Sequence, residues 1–172
     1  MRGGRARVID TENEKLIERI KGITSSQLDN LQHKKIYFGH QSVGYNILDG
    51  INGVLRENNL NVLSIRESKD ANDFGTATFL YSRIGINEKP LLKIDGFAQN
   101  IENGIGGNAA FAFFKLCFVD IDGTSDVGAL FEQYRSMMAS LRDRYPNKTF
   151  IHVTVPLVSN RIGAVSCGKN AA

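Results

Sequence analysis

The chain changes its hydrophobic period three times, each time in the same order: a short apolar run, a turn, then apolar residues spaced by three and four. The first run is Lys35 to Gly39, and the helical pattern after Ser42 places Val43, Ile47, Ile51, Val54 and Leu55 on one face. Asn58-Asn59 marks a turn before a second strand, Asn61 to Arg66. Pro90 suits the first turn of a helix with apolar positions Leu91, Leu92, Ile94, Phe97 and Ile101, ending at Asn103-Gly104. The near-continuous apolar run Ala109 to Ile121 then predicts a central strand covered on both faces. Asp126 is placed to cap a helix running to Tyr145, with Leu130, Phe131, Tyr134, Met137, Met138 and Leu141 as its buried stripe. Thr149 to Val155 reads as the fourth strand, closed by Pro156. This order predicts an α/β fold: a parallel sheet with helices on both faces.

At 172 residues and 42% hydrophobic content, the chain suits one α/β domain over residues 34–157. A helical arm over residues 1–33 precedes it, with Thr11-Glu12-Asn13-Glu14 as a capping box and Leu16, Ile17, Ile20 and Ile23 as its apolar face. A second short polar helix is expected from Ser26 to Gln32, and residues 158–172 form an irregular tail. The net charge of +3 is scattered, which disfavours a nucleic-acid partner. No apolar run approaches the ~20 residues that span a membrane, so no membrane partner is expected. The opening arginines lack the apolar core of a signal peptide, and compartment stays unassigned. Cys117 and Cys167 make no disulfide or metal framework, and His33, His40 and His152 are too scattered for a metal set.

In open α/β sheets ligands bind beyond the carboxyl ends of the strands, where strand order reverses. For the flavodoxin-like order 2-1-3-4, His40-Gln41-Ser42 and Asp120-Ile121-Asp122-Gly123-Thr124-Ser125-Asp126 leave adjacent strands at that point. Ser42 then either caps the following helix or offers its hydroxyl at a helix N-terminus able to stabilise an anion. Gly44, Gly50 and Gly53 weaken that helix and are best explained by close approach to a sheet or ligand. Glu67 to Lys89, with Phe74, Gly75, Tyr81, Arg83 and Gly85, reads as a long loop, either lining a site or disordered. The first strand–helix junction lacks the ending of a phosphate-binding loop, and Gly104-Ile105-Gly106-Gly107 precedes a strand rather than a helix. No cofactor is expected.

On these residues the chain resembles the SGNH/GDSL hydrolases, serine esterases and deacetylases on a flavodoxin-like three-layer α/β/α sheet. Gly39-His40-Gln41-Ser42 is similar to the family's nucleophile block, with Gln41 in the place of its acidic residue. Ile84-Gly85-Ile86-Asn87 is similar to the second block, and Gly123-Thr124-Ser125-Asp126 to the third, with serine in the asparagine place. The likeness extends over Lys34 to Leu157. It implies Ser42 as nucleophile, Gly85, Asn87, Ser125 and Asp120 as oxyanion- or substrate-binding groups, and an ester substrate of small-molecule or carbohydrate type. The family's Asp-x-x-His block finds no counterpart after Leu157, which implies an incomplete member lacking its general base, last strand and helix. His40 is then a possible accessory group. A degenerate hydrolase that only binds a ligand or carbohydrate is the competing expectation; a nucleotide-binding regulatory domain lacks the phosphate loop.

Overall fold

The computed structural model describes Gly22, Thr24, Gln27, residues 30–57 and residues 59–155. The expected helix at Thr11, the tail over 158–172, Pro156 and Cys167 lie outside the described residues. Within Ser26 to Gln32, Gln27 is helical and Asn30 onward belongs to a 3₁₀ turn, Asn30–His33.

The sheet is built from β1 (Lys35–His40), β2 (Ser64–Glu67), β3 (Thr78–Arg83), β4 (Phe111–Phe114) and β5 (Thr149–Ile151). Its order is β2-β3-β1-β4-β5, with every pairing parallel. Three main helices, α1 (Gly44–Glu57), α2 (Pro90–Asn100) and α3 (Val127–Arg144), provide the outer layers. Side chains of β1 alternate between two cores, as a strand's period of two requires. Tyr37, with Leu80, Ala112 and Phe114, packs on Ile94 and Phe97 of α2 and on Leu130, Met138 and Leu141 of α3. Phe38 and Phe79 pack on Leu48 of α1, with Ile51 and Phe113 partly buried around them. The result is a three-layer α/β/α arrangement with β1 between β3 and β4.

The main departure from expectation is β3, which lies inside the stretch Glu67 to Lys89 that reads as a loop. Its core-facing positions Thr78 and Ser82 are polar, so the apolar alternation fails there, yet both are buried. Thr78 Oγ1 accepts from the Gly75 N–H at 2.9 Å, and Ser82 Oγ lies 2.7 Å from the Tyr37 hydroxyl. Asn100 Nδ2 donates to that same hydroxyl at 2.6 Å. These partners, one local and two distant in sequence, replace the water that buried polar strand residues would otherwise need. The four anticipated strands keep their relative order, with β3 inserted between the second and the first.

Other boundaries shift for local reasons. The run Ala109 to Ile121 pairs only over Phe111–Phe114, then continues unpaired into a 3₁₀ turn, Phe118–Asp120. β2 begins at Ser64 rather than Asn61, and β5 ends at Ile151, so His152 lies just beyond the strand and is exposed. α2 passes beyond Asn103-Gly104 through a kink, where Gly104 has φ +120°, into one further turn, Gly106–Asn108. Asp126 caps α3, its Oδ1 accepting from the Ala129 N–H at 2.9 Å. Phe131, placed in the buried stripe by its spacing, is instead 57% exposed. On α1 the buried apolar residue is Leu48, while Ile47 of the anticipated face is exposed.

Candidate active site at the carboxyl end of the sheet

After β1 the chain builds β2 and β3 on one side of that strand and β4 and β5 on the other, so strand order reverses between β1 and β4. Gln41, Ser42 and Val43 make the turn from β1 into α1 at this point. Carbonyls of Gln41, Ser42 and Val43 accept from the N–H groups of Gly44, Tyr45 and Asn46 at 2.9, 3.0 and 3.1 Å. Ser42 is exposed and has φ +41°, the left-handed region that a residue with a Cβ enters at a cost. Among the described residues its hydroxyl makes no hydrogen bond, so it does not cap α1. The turn thus presents a strained, exposed serine between strand and helix.

His40 explains why the turn closes so tightly. A Cβ on Gly44 would sit 2.3 Å from His40 Nδ1 and 2.4 Å from its Cβ and Cγ, so the first turn of α1 rests directly on the imidazole. Gly50 and Gly53, in contrast, face open space, and close approach does not account for them. The His40 ring stacks on Phe38 at 5.2 Å between centroids and meets Tyr45 edge-on at 4.8 Å. It is fully buried, and neither ring nitrogen has a hydrogen-bond partner. Burial therefore pushes its pKa below the ordinary histidine value; Lys115 and Arg83 push the same way, while Glu67 and the Gln41 backbone oppose.

On the other face a buried ion pair ties two strand exits and a helix together. Lys93 Nζ lies 2.6 and 2.8 Å from the two Asp120 oxygens, with both side chains fully enclosed. Asp120 also accepts from the Cys117 N–H at 2.6 Å and the Glu88 N–H at 3.0 Å. This carboxylate is thus taken up within the fold, holding the exit of β4 to the 86–89 turn and to α2. Lys93 also donates to Asn87 Oδ1 at 2.9 Å, which fixes the amide and leaves Nδ2 as its donating end. Gly85 has φ +56°, and a side chain there would meet the Leu92 and Lys93 backbone at 2.6 Å. Its carbonyl accepts from Gln41 Nε2 at 2.7 Å, joining the β3 exit to the serine turn.

The Asp122–Asp126 loop is held by its own groups. Ser125 Oγ accepts from the Asp122 N–H at 2.9 Å and lies 3.0 Å from Asp122 Oδ1, so it is a loop fastener. Hydrogen bonds from the Thr124 side chain and backbone, then from Ser125, pull the exposed Asp122 carboxyl below its usual range. A hollow of about 750 Å³ opens beside this loop, lined by Asp120, Ser125, Glu88, Leu91 and Gln133 among others. Ser42, Gly85 and Asn87 are not in its wall. A larger apolar groove of about 970 Å³ runs between α3 and β5, past Phe131, Tyr134 and His152. His152 Nδ1 lies 2.7 Å from the Tyr134 hydroxyl, which leaves no described histidine bonded to Ser42.

The structure therefore gathers Ser42, Gly85, Asn87 and Asp120 at one end of the sheet through Gln41, Lys93 and Cys117. Sequence reasoning missed Lys93 and Lys115. The first had a readable signal: Lys93 precedes Phe97 by one helical turn, on the face that is buried, whereas the anticipated Leu91 and Leu92 are about half exposed. Lys115 interrupts the most apolar run of the chain, and it too is buried. Among the described residues no group of three or more His, Cys, Asp or Glu side chains is placed to hold a metal ion. No described helix is long and apolar enough to cross a membrane. No family model, curated protein or solved structure matches the chain.

Proposed function

We propose that this chain is an SGNH/GDSL-type serine hydrolase, an esterase or carbohydrate O-deacetylase acting through an acyl-enzyme on Ser42. The observation that carries the reading is Ser42 itself: exposed, left-handed at φ +41°, and set at the reversal of strand order beside the first turn of α1. Ser42 Oγ attacks the ester carbonyl, forming an O–C bond and an oxyanion; collapse expels the alcohol, and water then releases the acid from the acyl-serine. Donors for the oxyanion are the Ser42 N–H, the Gly85 N–H and Asn87 Nδ2, whose orientation Lys93 sets. Each such donor is typically worth about 3 kcal/mol.

Among the described residues no base is bonded to the Ser42 hydroxyl. His40 lies beneath α1 with its nitrogens unpartnered, and His152 is engaged by Tyr134. Without a base, donors and positioning leave residual catalysis of about 10³–10⁴-fold over water. Slow acylation by an activated ester is the consequence. The same gap favours the competing reading, a degenerate hydrolase that binds a ligand or carbohydrate without turning it over.

The test is exposure to p-nitrophenyl acetate, with intact-mass and peptide analysis of the wild type and Ser42→Ala. A single acetyl group on the Ser42 peptide, absent from the variant, is the expected result. Equal nitrophenol release by both proteins with no Ser42 adduct would remove the serine and leave the binding reading ahead.

A further inference from the structure

Lys115 is 4% exposed, yet its ammonium meets no carboxylate among the described residues. Its hydrogen-bond contact is Cys117 Sγ at 3.7 Å, and that thiol in turn reaches the Gln41 carbonyl at 3.6 Å. The Lys115 N–H donates to the Gly39 carbonyl at 3.3 Å, so the side chain leaves the main chain beside the end of β1. Phe113 stacks on Phe38 at 4.7 Å between centroids, and the period of two carries Lys115 and His40 onto that same sheet face. Two buried polar groups with unmet hydrogen-bonding capacity thus adjoin the Ser42 turn: an ammonium without an anion and an imidazole with both nitrogens free. Burying a cation is unfavourable unless an anion pairs with it. Glu67, on β2, is the opposing charge that bears on His40; Arg83, on β3, adds to the positive side, and Tyr45 and Tyr81 supply aromatic walls.

We propose that Lys115 and His40 form an anion subsite beside Ser42, taking the carboxylate of a small acid. The ammonium supplies a charge-assisted hydrogen bond, and the neutral imidazole supplies one N–H, which satisfies both orphaned groups. Combined with the hydrolase reading, on which this identification of the ligand rests, the carboxylate is that of the released acid. Ester hydrolysis at Ser42 is then followed by capture of its anionic product at the adjoining subsite.

Acetate is the probe, titrated at constant ionic strength with chloride as the balancing salt. Thermal midpoint and the His40 ring resonances in a ¹³C-edited NMR spectrum report on binding. The wild type is expected to show a saturable rise in midpoint together with a shift of the His40 resonances. Lys115→Met is expected to bind roughly tenfold more weakly or worse, the factor that ~1.4 kcal/mol represents. Lys115→Arg and Ser42→Ala are expected to retain binding. A wild-type response to acetate no different from chloride, at the midpoint and at His40, overturns the proposal without recourse to any variant. Undiminished acetate binding by a folded Lys115→Met also overturns it. Acetate binding with no Ser42 adduct would remove the hydrolase reading alone, and a Ser42 adduct with no acetate response would remove the subsite alone.

Discussion

Breaking the Lys93–Asp120 pair offers the sharpest test of how the site is held. Both side chains are fully enclosed, so solvent does not discount the interaction. In Asp120→Ala the Lys93 ammonium keeps only Asn87 Oδ1, and the Cys117 and Glu88 N–H groups lose their acceptor. Removing one partner of a buried pair costs about 3–5 kcal/mol, and the stranded N–H groups place this variant at the upper end. At roughly 2–4 °C per kcal/mol for a chain of this size, the melting midpoint should fall by about 10–20 °C. Lys93→Met should cost less, because two backbone donors still solvate the Asp120 carboxylate. The double variant Lys93→Met/Asp120→Asn should recover part of the loss, since the amide oxygen still accepts from one N–H and no buried charge remains. Urea denaturation of the wild type, Lys93→Met, Asp120→Asn and Lys93→Met/Asp120→Asn gives the double-mutant cycle, where a coupling of about 1–3 kcal/mol is expected. A cost below about 1 kcal/mol for Asp120→Ala, or strict additivity in the cycle, would refute the claim that this pair fastens the strand exits.

Three further outcomes follow from particular contacts. Gly44→Ala should destabilise by about 1–3 kcal/mol through the clash with His40, and His40→Ala in the same chain should relieve it. Gly50→Ala, which meets nothing, should stabilise by about 0.5–1 kcal/mol, so urea midpoints moving in opposite directions are the check. Ser42→Gly should raise stability by roughly 1 kcal/mol, by relieving the left-handed serine, while abolishing the acetyl adduct at residue 42; unchanged or lowered stability would deny the strain. Because the folded pKa of His40 is depressed, the unfolded chain binds more protons, and stability rises with pH across the interval. Stability should be fully present above the unfolded value of about 6.5 and fall as pH drops toward the lower folded value, a slope that His40→Phe should remove. An identical slope in the variant would show that another group carries the acid sensitivity.

Periodicity and composition by themselves determined the fold class and the helix capped by Asp126, whereas placing the His40–Ser42 and Asp120–Asp126 segments at adjacent strand exits rested on an assumed strand order that only the sheet itself supplies. The first two rest on interactions within a few residues, or on one face of an element being apolar, and both are written along the chain. The tertiary structure alone decided the rest. β3 was illegible because Thr78 and Ser82 are polar, and the groups that make their burial tolerable include Tyr37 and Asn100, far away in sequence. The buried pairing of Lys93 was illegible because its partner is 27 residues distant. The three glycines of α1 read alike, yet only Gly44 has His40 beneath it, and that contact depends on how α1 lies across the sheet. Ser42 could be read as a cap or a nucleophile; its left-handed backbone and outward hydroxyl are set by packing on both sides of the turn, where His40 supports α1 and Gln41 is tied to Gly85. A local pattern records which face of an element is apolar, but a buried polar group is stabilised by whatever the fold brings to it, and that information is not local.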